Sequence, residues 1–399
     1  MVVGSVQEKE QDRAMAGTGN GTGRIEGDYT LPSGGVLRPP AGSAGVEITG
    51  LLSSQGAGSV EGNLRCREIR IEGGTLMVHG SVEVSGTIAL RRGRLEVDGN
   101  LKADSLDGDR GVIVRGNLEC RDVDIGGVVE ISGTTKGDEF EVGGSAELRG
   151  AVDLTSLEVG GRVLVGGGTV RRSIEVGGKF ESTAPLTFGS LEIGGVGRLR
   201  ASAQGETLEA GGMIDCDSDL VATKETEVGG KIRVVGQLRS GRIEVGGLLS
   251  AGSVSGEDVE VGGEAEVAGA FTAHRLEVGG RLSAERVVVS DRLEVGDEIR
   301  TKAGAKADSI RIGDRGVVRG PSVAREIAVG DRGEVEDVWA GTLRLGSRSR
   351  ARNVYAEELE VASRVEIQGE TQFVRRLRGD DARFGQPPRQ VSQLPPPPL

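Results

Sequence analysis

A five-residue pattern, apolar-acidic-apolar-Gly-Gly, returns along this chain at a nearly constant spacing, and a period of that kind restricts the fold to stacked repeats. It starts at Phe140, Leu157, Ile174, Leu191, Leu208, Thr226, Ile243, Val259, Leu276 and Leu293, a period of about 17 residues with single-residue excursions at Thr226 and Val259. It continues as IRIGD from Ile310, IAVGD from Ile327, LRLGS from Leu343 and LEVAS from Leu359, and it reaches back through VDIGG at Val123. Residues 46–122 keep the composition in less regular turns, as in VEVSG from Val82, LEVDG from Leu95 and VIVRG from Val112.

The turn from Leu276, LEVGGRLSAERVVVSDR, contains three apolar pairs spaced i, i+2: Leu276/Val278, Leu282/Ala284 and Val287/Val289. Side chains alternate faces along a strand, so both members of a pair point inward while Glu277, Ser283 and Val288 point outward. Gly-Gly recurs at one corner, where the expectation is that it supplies positive φ for a tight turn. Three short strands and three corners make a triangular coil. Equivalent residues then stack about 4.8 Å apart, with parallel hydrogen bonding between turns. The predicted fold is therefore all-β, a single-stranded parallel β-helix of about 17 residues per turn and about 19 turns over residues 46–378. Within residues 41–386 the only prolines are Pro185 and Pro321, as expected where nearly every N–H is needed for a ladder. A 3.6-residue apolar period is absent, and glycine at this density would undermine helices.

Composition agrees with a narrow interior. Glycine supplies 69 of 399 residues and the aromatic residues only 2%, leaving little volume to fill a wide core. The 49 basic and 61 acidic residues give a net charge of -12, which argues against nucleic acid as a partner. Cys66, Cys120 and Cys216 are widely separated and odd in number, so neither a disulfide framework nor a metal cluster is expected. No stretch reaches the ~20 apolar residues of a membrane span, and the amino terminus lacks a secretory apolar run. The expectation is a cytoplasmic protein. Residues 1–45 and the Pro-rich residues 379–399 read as disordered tails, either of which could carry a contact to a membrane or a protein partner.

Two surface features stand out. The second position of the repeat forms a column of carboxylates, Glu141, Glu158, Glu175, Glu192, Glu209, Glu227, Glu244, Glu260, Glu277 and Glu294. Such a ladder repels itself and would attract cations, basic neighbours such as Arg162, Lys179, Lys231 and Arg281, or a basic partner; its plainer reading is a solvated strand face. Near the carboxyl end, FVRRLR places Phe373, Val374 and Leu377 where they could cap the last turn or form a polymer junction. Catalysis lacks a location, because the repeat hardly varies in length between Val123 and Leu359 and leaves no insertion to build a pocket. His274 falls in a corner as an exposed polar residue, and no GxxxxGK[ST] phosphate loop occurs. No enzyme activity, cofactor, metal or nucleotide is expected. Hexapeptide-repeat acyltransferases share the triangular coil but build each turn from three hexapeptides, one residue more than the period here.

Open ends of a solenoid invite another chain, so end-to-end self-association is the leading expectation. The strand-Gly-Gly repeat and parallel coil, with a polar head and a proline-containing tail, resemble the bactofilins, polymer-forming cytoskeletal proteins of bacteria and archaea. That resemblance implies a right-handed β-helix, nucleotide-independent nonpolar filaments and attachment to the inner membrane face. It covers residues 46–378, a coil over three times the length typical of the family, and Met1, Val2 and Val3 are a weak counterpart of the membrane-targeting head. The competing expectation is a monomeric scaffold or adhesin-like rod that captures a partner along its lateral face.

Overall fold

The computed structural model describes residues 23–379 and 381–398, and these contain strands and no helix. Contacts divide the chain into two compact units, Met1–Gly177 and Gly178–Leu399. Each is a parallel β-solenoid.

In the first unit the turns lie in register as the repeat requires. Val123 stands opposite Phe140, Phe140 opposite Leu157 and Leu157 opposite Ile174, all parallel. A second interior column runs through Leu76, Leu95, Val112, Val129, Ala146 and Val163. A third begins Leu64, Val82, Leu101, Leu118, Thr135 and Val152. Nearly all of these side chains are excluded from water, because each is one of an inward i, i+2 pair on a strand segment.

Two boundaries differ from the sequence expectation. Residues 23–45 do not form a plain tail: Arg24–Ile25, Tyr29–Leu31 and Gly35–Leu37 are strands laid parallel on Gly45–Ser54 and Gly58–Val60. Leu31 and Leu37 are buried there. This turn carries Arg24 round to Glu47, and the next ones carry Glu47 to Arg65 and Ile69 to Ile88. All three are longer than the regular repeat, so its period does not reveal them. At the other end, Ala382–Phe384 pairs with Val365–Ile367, and Arg389–Gln390 pairs with the strand Thr371–Arg378, so part of the expected Pro-rich tail is an additional partial turn. Met1, Val2 and Val3 lie outside the described residues.

The second unit repeats the plan. One interior column runs Leu191, Leu208, Thr226, Ile243, Val259, Leu276, Leu293, Ile310, Ile327, Leu343, Leu359 and Leu377. Another carries Phe180, Gly197 and Ile214; a Cβ on Gly197 would lie 2.6 Å from Ile193 Cδ1 and 2.7 Å from Ile214 Cδ1, so the glycine leaves room for the two isoleucines. In the turn from Leu276 all three predicted pairs are buried, and Val288 points outward at 36% exposure.

The Gly-Gly corner has a different cause from the one expected. None of the repeat's paired glycines between Gly143 and Gly280 has positive φ. What excludes a side chain is the turn beneath: a Cβ on Gly161 would lie 2.5 Å from the Gly144 carbonyl oxygen, and one on Gly280 would lie 2.7 Å from that of Gly263. Corner backbones stack here by direct hydrogen bonds, Gly161 N–H donating to Gly144 at 3.0 Å and Gly280 N–H to Gly263 at 2.9 Å. Glycine is selected by axial crowding.

Candidate functional site: charged columns and the terminal turn

Strict stacking turns an outward position of the repeat into a column, so the charged sites described below are ladders of side chains. The predicted acidic ladder is present in both units. In the first, Asp124, Glu141, Glu158 and Glu175 occupy successive turns in register. The like charges of Asp124 and then Glu158 push the Glu141 carboxyl above its ordinary value, as expected for carboxylates one strand spacing apart. In the second, Glu192, Glu209, Glu227, Glu244, Glu260, Glu277 and Glu294 are likewise in register. Glu244 pairs with Arg242 at 2.7 Å, and Glu294 pairs with Arg311 at 3.2 Å. The other eight ladder glutamates have no ion pair among the described residues, including with Arg162, Lys179, Lys231 or Arg281.

A basic column was missed in the sequence. The apparent constancy of the repeat conceals a redistribution of its corners. Val295 and Ile312 are partners in adjacent turns, yet the next buried partners, Ile299 and Val318, lie two residues further along in the later turn. The following corner shortens in compensation, so Ile310 still stands opposite Ile327 and the period is kept. The longer corner reads GDRG, GDRG, GSRS and ASRV, and its third residue is Arg315, Arg332, Arg348 and Arg364. All four are exposed with left-handed backbone, φ between 59° and 62°. Glycine is the ordinary occupant of this turn position, and a side chain there costs about 1 kcal/mol. The corners stack: the N–H of Arg315 donates to Asp331 at 2.7 Å, that of Arg332 to Ser347 at 2.8 Å, that of Arg348 to Ser363 at 2.9 Å and that of Arg364 to Asp381 at 2.8 Å. Asp314 and Asp331 lie in the same corners, but their carboxylates accept from the backbone N–H of Asp331 and Ser347, at 2.9 and 2.8 Å. Among the described residues none of the four guanidinium groups forms an ion pair, whereas Arg311, Arg325, Arg344 and Arg350 nearby all do.

The predicted junction residues lie on the last full turn. Phe373 stands over Ala356 and Leu377 over Leu359, continuing two interior columns, and Phe373, Val374 and Leu377 are only half-buried. Phe373 is covered by the final strand: Gln390 pairs with it, and its carbonyl accepts from Val391 N–H at 2.8 Å. Among the described residues, no strand pairs on the outer side of Arg376–Arg378, leaving Leu377 at the open corner of the layer.

Sequence reasoning also passed over an aromatic contact. Trp339 and Tyr355 occupy outward positions one turn apart and stack with centroids 4.9 Å apart. The Tyr355 hydroxyl donates to Glu370 at 3.0 Å, and burial, then that bond, pushes its pKa up to about 12. The signal available was the only tryptophan of the chain standing one repeat before one of its two tyrosines.

The histidines are dispersed. His79 Nδ1 bonds Asp98 at 2.9 Å, which is the main reason the Asp98 carboxyl lies below its usual range, and His274 Nδ1 bonds Ser290 at 2.8 Å; both rings are exposed. Among the described residues, no group of three His, Cys, Asp or Glu side chains is arranged to hold a metal, and no helix is long and apolar enough to cross a membrane. The three cysteines are free and buried, and burial pushes the Cys66 and Cys120 thiols up to about 12. Because the thiolate is the reactive species, all three should resist Ellman's reagent in the native protein and react fully in denaturant. Rapid labelling of any of them under native conditions would contradict this burial.

No family model, curated protein or solved structure matches this chain.

Proposed function

We propose that this chain is a structural scaffold that assembles end to end into nonpolar filaments without nucleotide, in the manner of the bactofilins that its repeat resembles. The observation that carries this reading is the last full turn, where two interior columns emerge half-buried at Phe373 and Leu377, with the half-buried Val374 beside Phe373. An apolar layer with strand edges on one side is a surface for another such layer. Pairing of like ends makes the filament nonpolar. In this reading the protein is not an enzyme and works in the cytoplasm, at or near the inner face of the membrane.

A second reading, a monomeric scaffold that binds a partner along a lateral ladder, is favoured by one specific feature. Arg389–Gln390 covers Phe373, and Pro387 and Pro388, which have no N–H to offer a further strand, precede it in the added partial turn. Negative-stain images of the purified full chain distinguish the two. End-to-end assembly predicts nucleotide-independent filaments that L377D, with aspartate at the uncovered corner of one end, shortens to particles of no more than two copies joined through their other ends. A wild-type protein that stays as single particles at high concentration would leave only the lateral reading.

A further inference from the structure

We infer that the arginine corner column of the second unit is a docking surface for the acidic ladder of a second copy of this chain, so that copies associate side by side. Both halves of the contact are present on one molecule and are unsatisfied. Arg315, Arg332, Arg348 and Arg364 project from four successive corners and form no ion pair among the described residues. Glu192, Glu209, Glu227, Glu260 and Glu277 stand in register on the same unit and form none either.

The occupant follows from the repeat. Each column is carried on hydrogen-bonded turns, so the charges of both advance by the same strand spacing of about 4.8 Å. A rigid ladder with the opposite sign and the same rise can meet all four arginines at once. Of the carboxylates along the column, Asp314 and Asp331 each accept a backbone N–H of the next corner, and Asp381 stands only at its far end, beside Arg364. On the receiving side, the ladder glutamates precede a corner that carries no side chain, through Gly211, Gly212, Gly229, Gly230, Gly262 and Gly263, which leaves the approach open. The backbone points the same way: four consecutive corners hold arginine where the conformation favours glycine, so local geometry does not account for the residue.

That conformation also supplies a clean test. R315G/R332G/R348G/R364G removes the charges while placing at each site the residue its φ prefers, so the β circular dichroism spectrum and melting temperature should be retained or raised. The second variant is E141Q/E158Q/E175Q/E192Q/E209Q/E227Q/E260Q/E277Q, which neutralises every ladder glutamate that has no ion pair among the described residues. Sedimentation velocity and negative-stain width are read at about 0.1 M salt, where a screening length near 10 Å still spans the contact but weakens repulsion between molecules of net charge -12.

Wild type should form side-by-side pairs or wider bundles, each variant alone should remain one molecule wide, and their equimolar mixture should pair one to one, because each retains the column the other lacks. In the wild type, polyglutamate should dissolve the pairs and polylysine should compete from the other side. Wild type that stays one molecule wide, a glycine variant that bundles as wild type does, or a mixture that fails to pair would overturn the inference. Should either variant misfold, insensitivity of wild-type bundles to polyglutamate overturns it independently. Width is separate from filament length, so loss of elongation in L377D leaves this inference standing, and loss of width leaves end-to-end assembly standing.

Discussion

Replacing Gly161, the second glycine of its pair, by alanine should destabilise the first unit by about 2–4 kcal/mol, while the same change at Gly126, the first glycine of the corner pair two turns earlier, should cost less than about 0.5 kcal/mol. The two glycines belong to one sequence pattern and neither has positive φ, so a conformational argument predicts equal effects. Axial crowding predicts unequal ones. A Cβ at Gly161 meets the Gly144 carbonyl oxygen at 2.5 Å, and that oxygen accepts the Gly161 N–H at 3.0 Å, so relief requires moving the backbone that makes the ladder. At Gly126 the nearest atom to a new Cβ is the Asp109 carbonyl oxygen at 3.4 Å, an ordinary contact. The measurement is the thermal or urea midpoint of each variant, with amide exchange to locate the loosened turns. Each turn is held chiefly by its neighbours, so faster exchange should centre on the turns carrying Gly144 and Gly161 and fade on either side. Equal losses at both positions would restore a backbone-conformation account of the corner.

Much of this architecture is legible in the residues. Pairs such as Leu276/Val278 and Leu282/Ala284 announce their inward face because side chains alternate along a strand, and matching pairs one repeat further on can only be the next layer. The carboxylate column followed from the same arithmetic. What escaped was whatever kept the period while changing its parts. The corner that lengthens at Arg315 is balanced by a shorter one before Ser322, so Ile327 still falls one full repeat after Ile310. A count of turn lengths cannot detect that exchange, and with it went the arginine column. The turn at 23–45 escaped for the opposite reason: it carries a familiar interior, Leu31 and Leu37, at an unfamiliar and longer spacing. The cause of Gly-Gly was misassigned because sequence shows a glycine but not whether its φ or its neighbour demands it.

The interior provides the second large effect. Phe271→Ala should cost about 3–5 kcal/mol, against about 1 kcal/mol for Phe271→Leu. Phe271 is fully buried, stacked between Val254 in the turn below and Val287 in the turn above, with Leu238 and Ala305 beyond them. In a globular core, neighbouring elements can shift to shrink a cavity, which spreads the measured costs of such truncations. Here Val254 and Val287 cannot approach each other, since the turn spacing is set by hydrogen-bonded backbone on all three sides of the coil. The cavity therefore stays open and the cost should fall at the upper end of the range. Aromatic residues make up only 2% of the chain, so this layer has no other large side chain of comparable volume to take the space. The loss should be visible as a lowered midpoint in thermal unfolding and as faster amide exchange in the turns bearing Val254, Phe271 and Val287. A cost near that of Phe271→Leu would mean that the layers can close on one another, and the rigid axial spacing on which both ladders depend would then be wrong.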